Sequence, residues 1–513
     1  MPRQLTDEQE KIIATSQSML AGESLKIQAC AGSGKTSTLV EISKANPNAR
    51  FLYLAFNKSI VEEAKNKFPD NVEVQTTHAL AYASIIKPNN YPFAEKHTYF
   101  DLKDILGFKN YDEFSSFNKE LNYFLNSDII NYTHPLIDKL FETARRREIP
   151  YTHSMYLKEY QMLSTEQKNL DRYDFILLDE AQDTNGVTLG IFLDNSCKKV
   201  VVGDTFQNIY GFRDTVNALE KLKTNFNESL THSFRCQQNI LSKACYFLNE
   251  YGEQDKKVWF KSGYEKKQDE VKTKAIITRS NAGIIEMIAK SLAKKDGESP
   301  EHYKLIKEPN AIFASSLSCY HFKNNQLDKI HSNYKWIKNF NGIADLKDFA
   351  DLTYDVELQK AMELVDKYGE QLFDLFEHAK TLYKTKEFDT YLTNAHISKG
   401  LEWNEVVLYE DFPELKDMQS KLNEAIAMND KKERERLAKS LQGEVNLYYV
   451  ALTRAKDKVI DRTNNHLEYK HFCASLKNKE EQMLDDEASI DKKDNNENLE
   501  RRSTRNYRYI KTL

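Results

Sequence analysis

The chain has 513 residues, 40% of them hydrophobic and 29% charged, with a formal net charge of −5. That length exceeds what one hydrophobic core usually organises, so at least two domains are expected. No apolar run approaches the roughly 18 residues of a membrane span, which excludes membrane insertion, and the acidic balance excludes a globally basic nucleic-acid binder, so any such track must be local.

The N-terminal MPRQLTDEQEKII lacks the charged-then-apolar pattern of a secretory signal and reads directly into an amphipathic helix, so a cytoplasmic location is expected, nucleoid-associated if bacterial. Cys30, Cys197, Cys236, Cys245, Cys319 and Cys473 form no C-x-x-C pair, which argues against a disulfide framework or a structural zinc site. They are expected to be reduced core residues.

Apolar, β-branched runs recur along the chain, each followed by a turn and a helical pattern: Leu25–Gln28, Phe51–Ala55, Phe175–Leu178, Val200–Val202, Ala275–Thr278 and Val406–Tyr409. Alternating strand and helix predicts α/β domains with buried parallel sheets. Two groups, before and after about residue 235, suggest two such domains. Each is interrupted by a charged, mainly helical stretch, at about 83–171 and 285–386. The tail 477–513 carries 9 acidic and 9 basic residues among 37, with few large aliphatics, and is expected to be disordered.

The segment ACAGSGKTS (Ala29–Ser37) follows the first strand and opens a helix, the context of a phosphate-binding loop. Gly32 and Gly34 let backbone amides approach phosphates, Lys35 reaches the β- and γ-phosphates, and the Thr36 hydroxyl suits Mg²⁺. Ala31, Ser33 and Ser37 complete the loop. Ala29 stands where the usual pattern has glycine, and a glycine turn before an ordinary helix is the alternative. ILLDEAQD (Ile176–Asp183) ends an apolar strand in two carboxylates. Asp179 would hold Mg²⁺ and Glu180 would polarise an attacking water, which together describe an ATP hydrolase; a solvated acidic turn is the bland alternative.

The remaining segments, in order, resemble the superfamily 1 DNA helicases of the UvrD/Rep/PcrA type, and in detail the helicase core of F-box DNA helicases. LTDEQEKII resembles the Q motif, which implies that Gln9 reads adenine. AFNKSIVEEAK resembles motif Ia and QTTHALAY motif Ib, implying DNA contacts at Phe56, Asn57, Lys58, Thr77 and His78. VVVGDTFQNIYGFRDTVNAL (Val200–Leu219) resembles motif III, with Gln207 sensing the γ-phosphate and Tyr210, Phe212 and Arg213 at the DNA. The usual W/F-R-G reads Phe212-Arg213-Asp214 here. HSFRCQQNI resembles motif IV, placing Phe234 against adenine and Arg235 at the γ-phosphate. AHISKGLEWNEV resembles motif V, with His396, Ser398 and Lys399 toward DNA and Glu402 toward the ribose. VNLYYVALTRAKDKV resembles motif VI, with Arg454 as a second arginine finger. YTHSMYLKEYQ (Tyr151–Gln161) resembles the segment before motif II in F-box helicases.

The resemblance implies two RecA-like P-loop motor domains: 1A at 1–82 and 172–235, 2A at 236–284 and 387–476. The interruptions become insertion 1B at 83–171 and a reduced insertion 2B at 285–386. It implies ATP and Mg²⁺ as cofactors, single-stranded DNA and duplex junctions as partners, and 3′-to-5′ unwinding in repair, recombination or replication. No F-box is visible before the Q motif, so ubiquitin-ligase recruitment is not carried over. Two other readings stay open. One is a translocase that strips proteins from single strands or serves a nuclease partner, as in phage defence; the other is a non-hydrolysing DNA-binding scaffold.

Overall fold

Among the described residues a six-stranded parallel sheet organises the first part of the chain and a five-stranded one the second. The computed structural model describes residues 4–55, 58–163, 165–209, 217–253, 257–266, 271–292, 302–353 and 355–476. Phe56, Asn57, Tyr210, Phe212, Arg213 and the tail 477–513 lie outside them. The chain divides into two compact units, Met1–Phe234 and Arg235–Leu513. Among the described residues no helix is long and apolar enough to cross a membrane.

In the first unit the strands are β1 (Ser24–Ala29), β2 (Phe51–Ala55), β3 (Val72–Thr76), β6 (Phe175–Leu178), β7 (Lys198–Gly203) and β8 (Phe226–Leu230), with the short parallel pair β4 (Phe93–Ala94) and β5 (Tyr151–Thr152) set apart. Their order is β3-β2-β6-β7-β1-β8, all parallel. Alternation along the strands sends side chains to two buried faces. Phe51, Tyr53, Phe175, Leu177, Val200 and Val202 pack on one with Ile12 and Leu39. Leu52, Leu54, Ile176, Leu178 and Val201 pack on the other.

That second face is continuous with the core of the stretch at 83–171. Its helices Tyr99–Leu106, Tyr111–Asn126, Pro135–Arg145 and His153–Met162 each begin on a side-chain cap, from Thr98, Asn110, His134 and Thr152. Phe114, Phe117, Phe124, Leu140 and Phe141 from these helices join the same cluster as Leu52 and Ile176. Shared burial, at roughly 1.5–3 kcal/mol for each large apolar side chain, binds the helices to the sheet.

The second unit contains β9 (Lys274–Thr278), β10 (Tyr303–Leu305), β11 (Thr390–Asn394), β12 (Trp403–Leu408) and β13 (Ala455–Asp461), ordered β10-β11-β9-β12-β13 and again parallel. β10 falls within the 285–386 stretch expected to be mainly helical. Its Tyr303 and Leu305 are buried against the sheet, so the sheet reaches into that stretch before the helices Pro309–Lys323, Val356–Tyr368 and Gln371–Lys384. The first five cysteines are buried and all six are free thiols.

Candidate active site

Between β1 and the helix Lys35–Ala45 the chain passes through Gly32 and Gly34 at φ 72° and 81°. This left-handed backbone suits glycine. A Cβ on Gly34 would lie 3.6 Å from Gln9 Nε2 and 3.9 Å from the Phe234 ring, so those two side chains flank the loop. Phe234 is tied there by its own N–H, which donates to Gly32 O at 2.9 Å, while the Ser233 hydroxyl donates to Ala31 O at 2.7 Å. Gln9 is fixed too: its Oε1 accepts from Thr6 N–H at 3.1 Å and its Nε2 donates to Thr38 Oγ1 at 3.0 Å. The Ser33 hydroxyl is buried with no hydrogen-bond partner among the described residues. A buried unpaired hydroxyl is costly, and a phosphate oxygen in the loop would satisfy it. Ser37 is exposed in the first turn of the helix.

Across the loop, β6 delivers Asp179 and Glu180. Asp179 Oδ2 accepts from Thr36 Oγ1 at 3.0 Å and from the Tyr53 hydroxyl at 2.9 Å, and Oδ1 accepts from Glu180 N–H at 2.8 Å. Burial and the charge of Glu180 push the Asp179 carboxyl up, while Lys35 pulls it down. Burial, reinforced by Asp179, also pushes the Tyr53 phenol far up, so Tyr53 remains a donor. Lys35 Nζ lies 3.5 Å from Glu180 Oε1. Glu180 itself is left-handed, φ 51° and ψ 42°, which costs a non-glycine residue roughly 1–2 kcal/mol. Such strain gathers where a side chain must be aimed.

A buried relay leads from Glu180 to Gln207. Gln182 Nε2 donates to Glu180 Oε2 at 2.7 Å, Gln182 Oε1 accepts from Asp204 N–H at 3.0 Å, and Gln207 Nε2 donates to Asp204 Oδ2 at 2.7 Å. The carboxylate beside the Gly32–Gly34 loop is therefore connected to the segment after β7 through side chains that are themselves buried. Beyond β3, Thr77 is buried with its hydroxyl 3.3 Å from that of Thr188, and half-buried His78 is pushed toward its neutral form by burial and by His153. Lys58 opens the helix Lys58–Lys65.

In the second unit Arg235 Nε donates to Glu402 Oε2 at 2.8 Å, and Lys456 Nζ sits 3.1 Å from Glu402 Oε1. Burial pushes the Glu402 carboxyl up, but the two cations outweigh it and hold it below its ordinary value. Arg454 is buried, its Nε donating to Val450 O at 3.0 Å and Nη1 to Leu401 O at 3.3 Å. Trp403 N–H donates to Arg454 O at 2.9 Å, which joins β12 to the turn carrying the arginine. After β11 the chain turns through His396 to Gly400, which has φ 86°. The buried Ser398 hydroxyl donates to Ala395 O at 2.7 Å and braces that turn, and Lys399 N–H donates to His396 O at 3.4 Å.

The model of the UvrD-like helicase C-terminal domain matches residues 93–463, well over half of the chain. The chain belongs to the UvrD-like helicases. It is 27% identical to F-box DNA helicase 1 of Gallus gallus over 88% of this chain and 48% of that protein. It is likewise 27% identical to F-box DNA helicase protein 1 of Schizosaccharomyces pombe over 89% of this chain and 57% of that one. A shorter similarity, 25% identity over 45% of this chain and 47% of the other, connects it to Gabija protein GajB of Bacillus cereus. The chain spans about half the length of the curated relatives it matches.

Within this UvrD-like helicase the structure adds residues that the motifs do not single out. Gln182 and Asp204 form the relay, Tyr53 holds Asp179, and Lys456 shares Glu402 with Arg235. Gln182, Asp204 and Lys456 sit inside the segments that resemble the motifs, so their presence is visible in the sequence but their partners are not. Tyr53 carries no signal apart from being a polar tip on an otherwise apolar strand.

Proposed function

We propose that this UvrD-like helicase is an ATP-dependent DNA helicase that moves along single-stranded DNA with 3′-to-5′ polarity and opens duplex DNA in repair, recombination or replication. The reading is carried by the relay from Lys35 and Glu180 through Gln182 and Asp204 to Gln207, which joins the phosphate loop to the segment resembling motif III. ATP would place its adenine against Gln9 and Phe234 and its phosphates over Gly32–Ser37. Lys35 would then exchange Glu180 for the β- and γ-phosphates.

Magnesium fits the corner beside the loop. Thr36 and Asp179 would hold it; they offer oxygen alone, already meet at 3.0 Å, and face the repulsion between Asp179 and Glu180. When bound it neutralises charge on the β- and γ-phosphates. Glu180, freed from Lys35 and steered by Gln182, would orient and deprotonate the attacking water. Arg235 and Arg454 would supply permanent charge to the γ-phosphate, with Glu402 moving from Arg235 to the ribose.

We further read 83–171 and 285–386 as insertions 1B and 2B, and Lys58, Thr77, His78, His396 and Lys399 as strand contacts. Forked duplexes bearing only a 3′ or only a 5′ overhang test the proposal: strand separation confined to the 3′ tail supports it. Separation confined to the 5′ tail overturns the polarity. Movement along single strands without separation on either fork assigns a translocase instead.

A further inference from the structure

Next to the motif-Ib segment the backbone widens into a π-helical turn, Tyr82–Ile86, directly after the helix Thr77–Ala81. π turns are rare and recur at functional sites. Around it five rings assemble from three separate stretches. Tyr82 and Phe93 meet edge to face with centroids 5.8 Å apart, Phe93 lies 5.6 Å from His153, and Tyr82 lies 6.1 Å from Tyr156. Tyr156 is the buried floor: its hydroxyl is 2.8 Å from His153 Nδ1 and its ring lies 6.2 Å from His78. A core rim would bury its largest rings, yet Phe93 is 50% exposed, Tyr82 is 37% exposed and His153 is exposed as well.

We propose that Tyr82, Phe93 and His153 form a base-stacking step for single-stranded DNA, continuing the track from His78 toward the 83–171 stretch; this rests on the motor reading above. Stacking is chemically suited to the rings because every base has a π face, and edge-to-face pairs leave one face of each ring open. The backbone of a strand would find cations alongside. A cavity of about 510 Å³ beside Tyr82 and Phe93 is lined also by Lys87 and Tyr91, and the Arg147 guanidinium lies 5.9 Å from the centre of the Tyr91 ring. Arg147 is anchored there by donating from Nη2 to Asn89 O at 2.6 Å. His78, kept neutral by its burial, serves as a ring rather than a phosphate cation. The β4–β5 pairing fixes the geometry, since Phe93 and Tyr151 are in register and Tyr151 N–H donates to Pro92 O at 2.8 Å.

The test compares equilibrium binding of a labelled oligo(dT) with that of an abasic strand of equal length, for the wild type and for Phe93→Ala, Tyr82→Ala and the conservative Phe93→Tyr. The proposal expects each alanine variant to lose about tenfold affinity for oligo(dT), to keep wild-type affinity for the abasic strand, and to keep the wild-type salt slope. Phe93→Tyr should bind like the wild type. Thermal unfolding and DNA-free ATP turnover control for folding, and if Tyr82→Ala unfolds, the half-exposed Phe93→Ala decides. Equal oligo(dT) affinity in wild type and Phe93→Ala overturns the stacking step alone, whereas a wild type that binds neither strand overturns the motor reading itself.

Discussion

A methyl group on Gly203 would lie 2.4 Å from Oε1 of Gln182, so the residue that ends β7 must be glycine for Gln182 to reach Asp204. The same Cβ would meet Leu219 Cδ1 at 2.9 Å and the Ala181 backbone nitrogen at 3.0 Å, which leaves Gln182 no easy retreat. Gly203→Ala is therefore expected to push Gln182 off Glu180. Steady-state ATP turnover should fall about a hundredfold, the scale associated with ångström misplacement of a catalytic group, while nucleotide affinity measured with a fluorescent analogue stays near wild type. Unchanged turnover would detach Gln182 from the chemistry.

On the proposed reading, Asp179 sets catalysis against stability. Its carboxyl is buried and pushed up, so its charge is a burden to the free protein. Asp179→Asn keeps the shape and removes that charge. The expected result is a melting temperature equal to or above wild type together with loss of ATP turnover, read by calorimetry and a phosphate-release assay.

Arg454 depends on its forked geometry, with Nε and Nη1 each held by a carbonyl. Lysine has one compact ammonium and cannot occupy both sites. Arg454→Lys should lower kcat by about a thousandfold with a much smaller change in KM, as expected of a group that acts on the transferring phosphoryl.

Lys158 gives a pH test of the 83–171 stretch. Its ammonium is buried, donates to Ser127 O at 3.0 Å, Ile129 O at 2.5 Å and Gln161 Oε1 at 2.8 Å, and burial pushes it down to about 8. A lysine depressed in the folded state binds fewer protons than in the unfolded chain between about 8 and its ordinary value, so stability from this residue rises with pH across that window. The difference in melting temperature between wild type and Lys158→Met should shift in favour of wild type from pH 8 to pH 10. A difference that is flat or moves the other way would contradict this environment for Lys158.

Strands that are wholly apolar were legible in the sequence. Phe51–Ala55 and Phe175–Leu178 occupy the expected residues, because a strand buried on both faces leaves an unbroken hydrophobic run. β3 and β8, with Val-Glu-Val-Gln-Thr and Phe-Asn-Glu-Ser-Leu, were not among the expected strands: they are the sheet edges, half exposed, and carry mixed residues. The glycine turn ahead of the helix Lys35–Ala45 and the carboxylates that follow β6 stand where the sequence places them, because both are carried by short, contiguous segments next to apolar strands. Tyr53, Gln182 and Asp204 were not legible in this way, since their importance lies in partners 126, 2 and 22 residues away that only folding brings within hydrogen-bond reach.

The most direct measurement of the central claim is ATP hydrolysis by the purified chain with and without single-stranded DNA, beside Lys35→Ala. Turnover should rise several-fold on adding oligo(dT), and Lys35→Ala should abolish it while retaining the wild-type melting temperature. Turnover indifferent to single strands, or undiminished in Lys35→Ala, would contradict an ATP-driven motor on DNA.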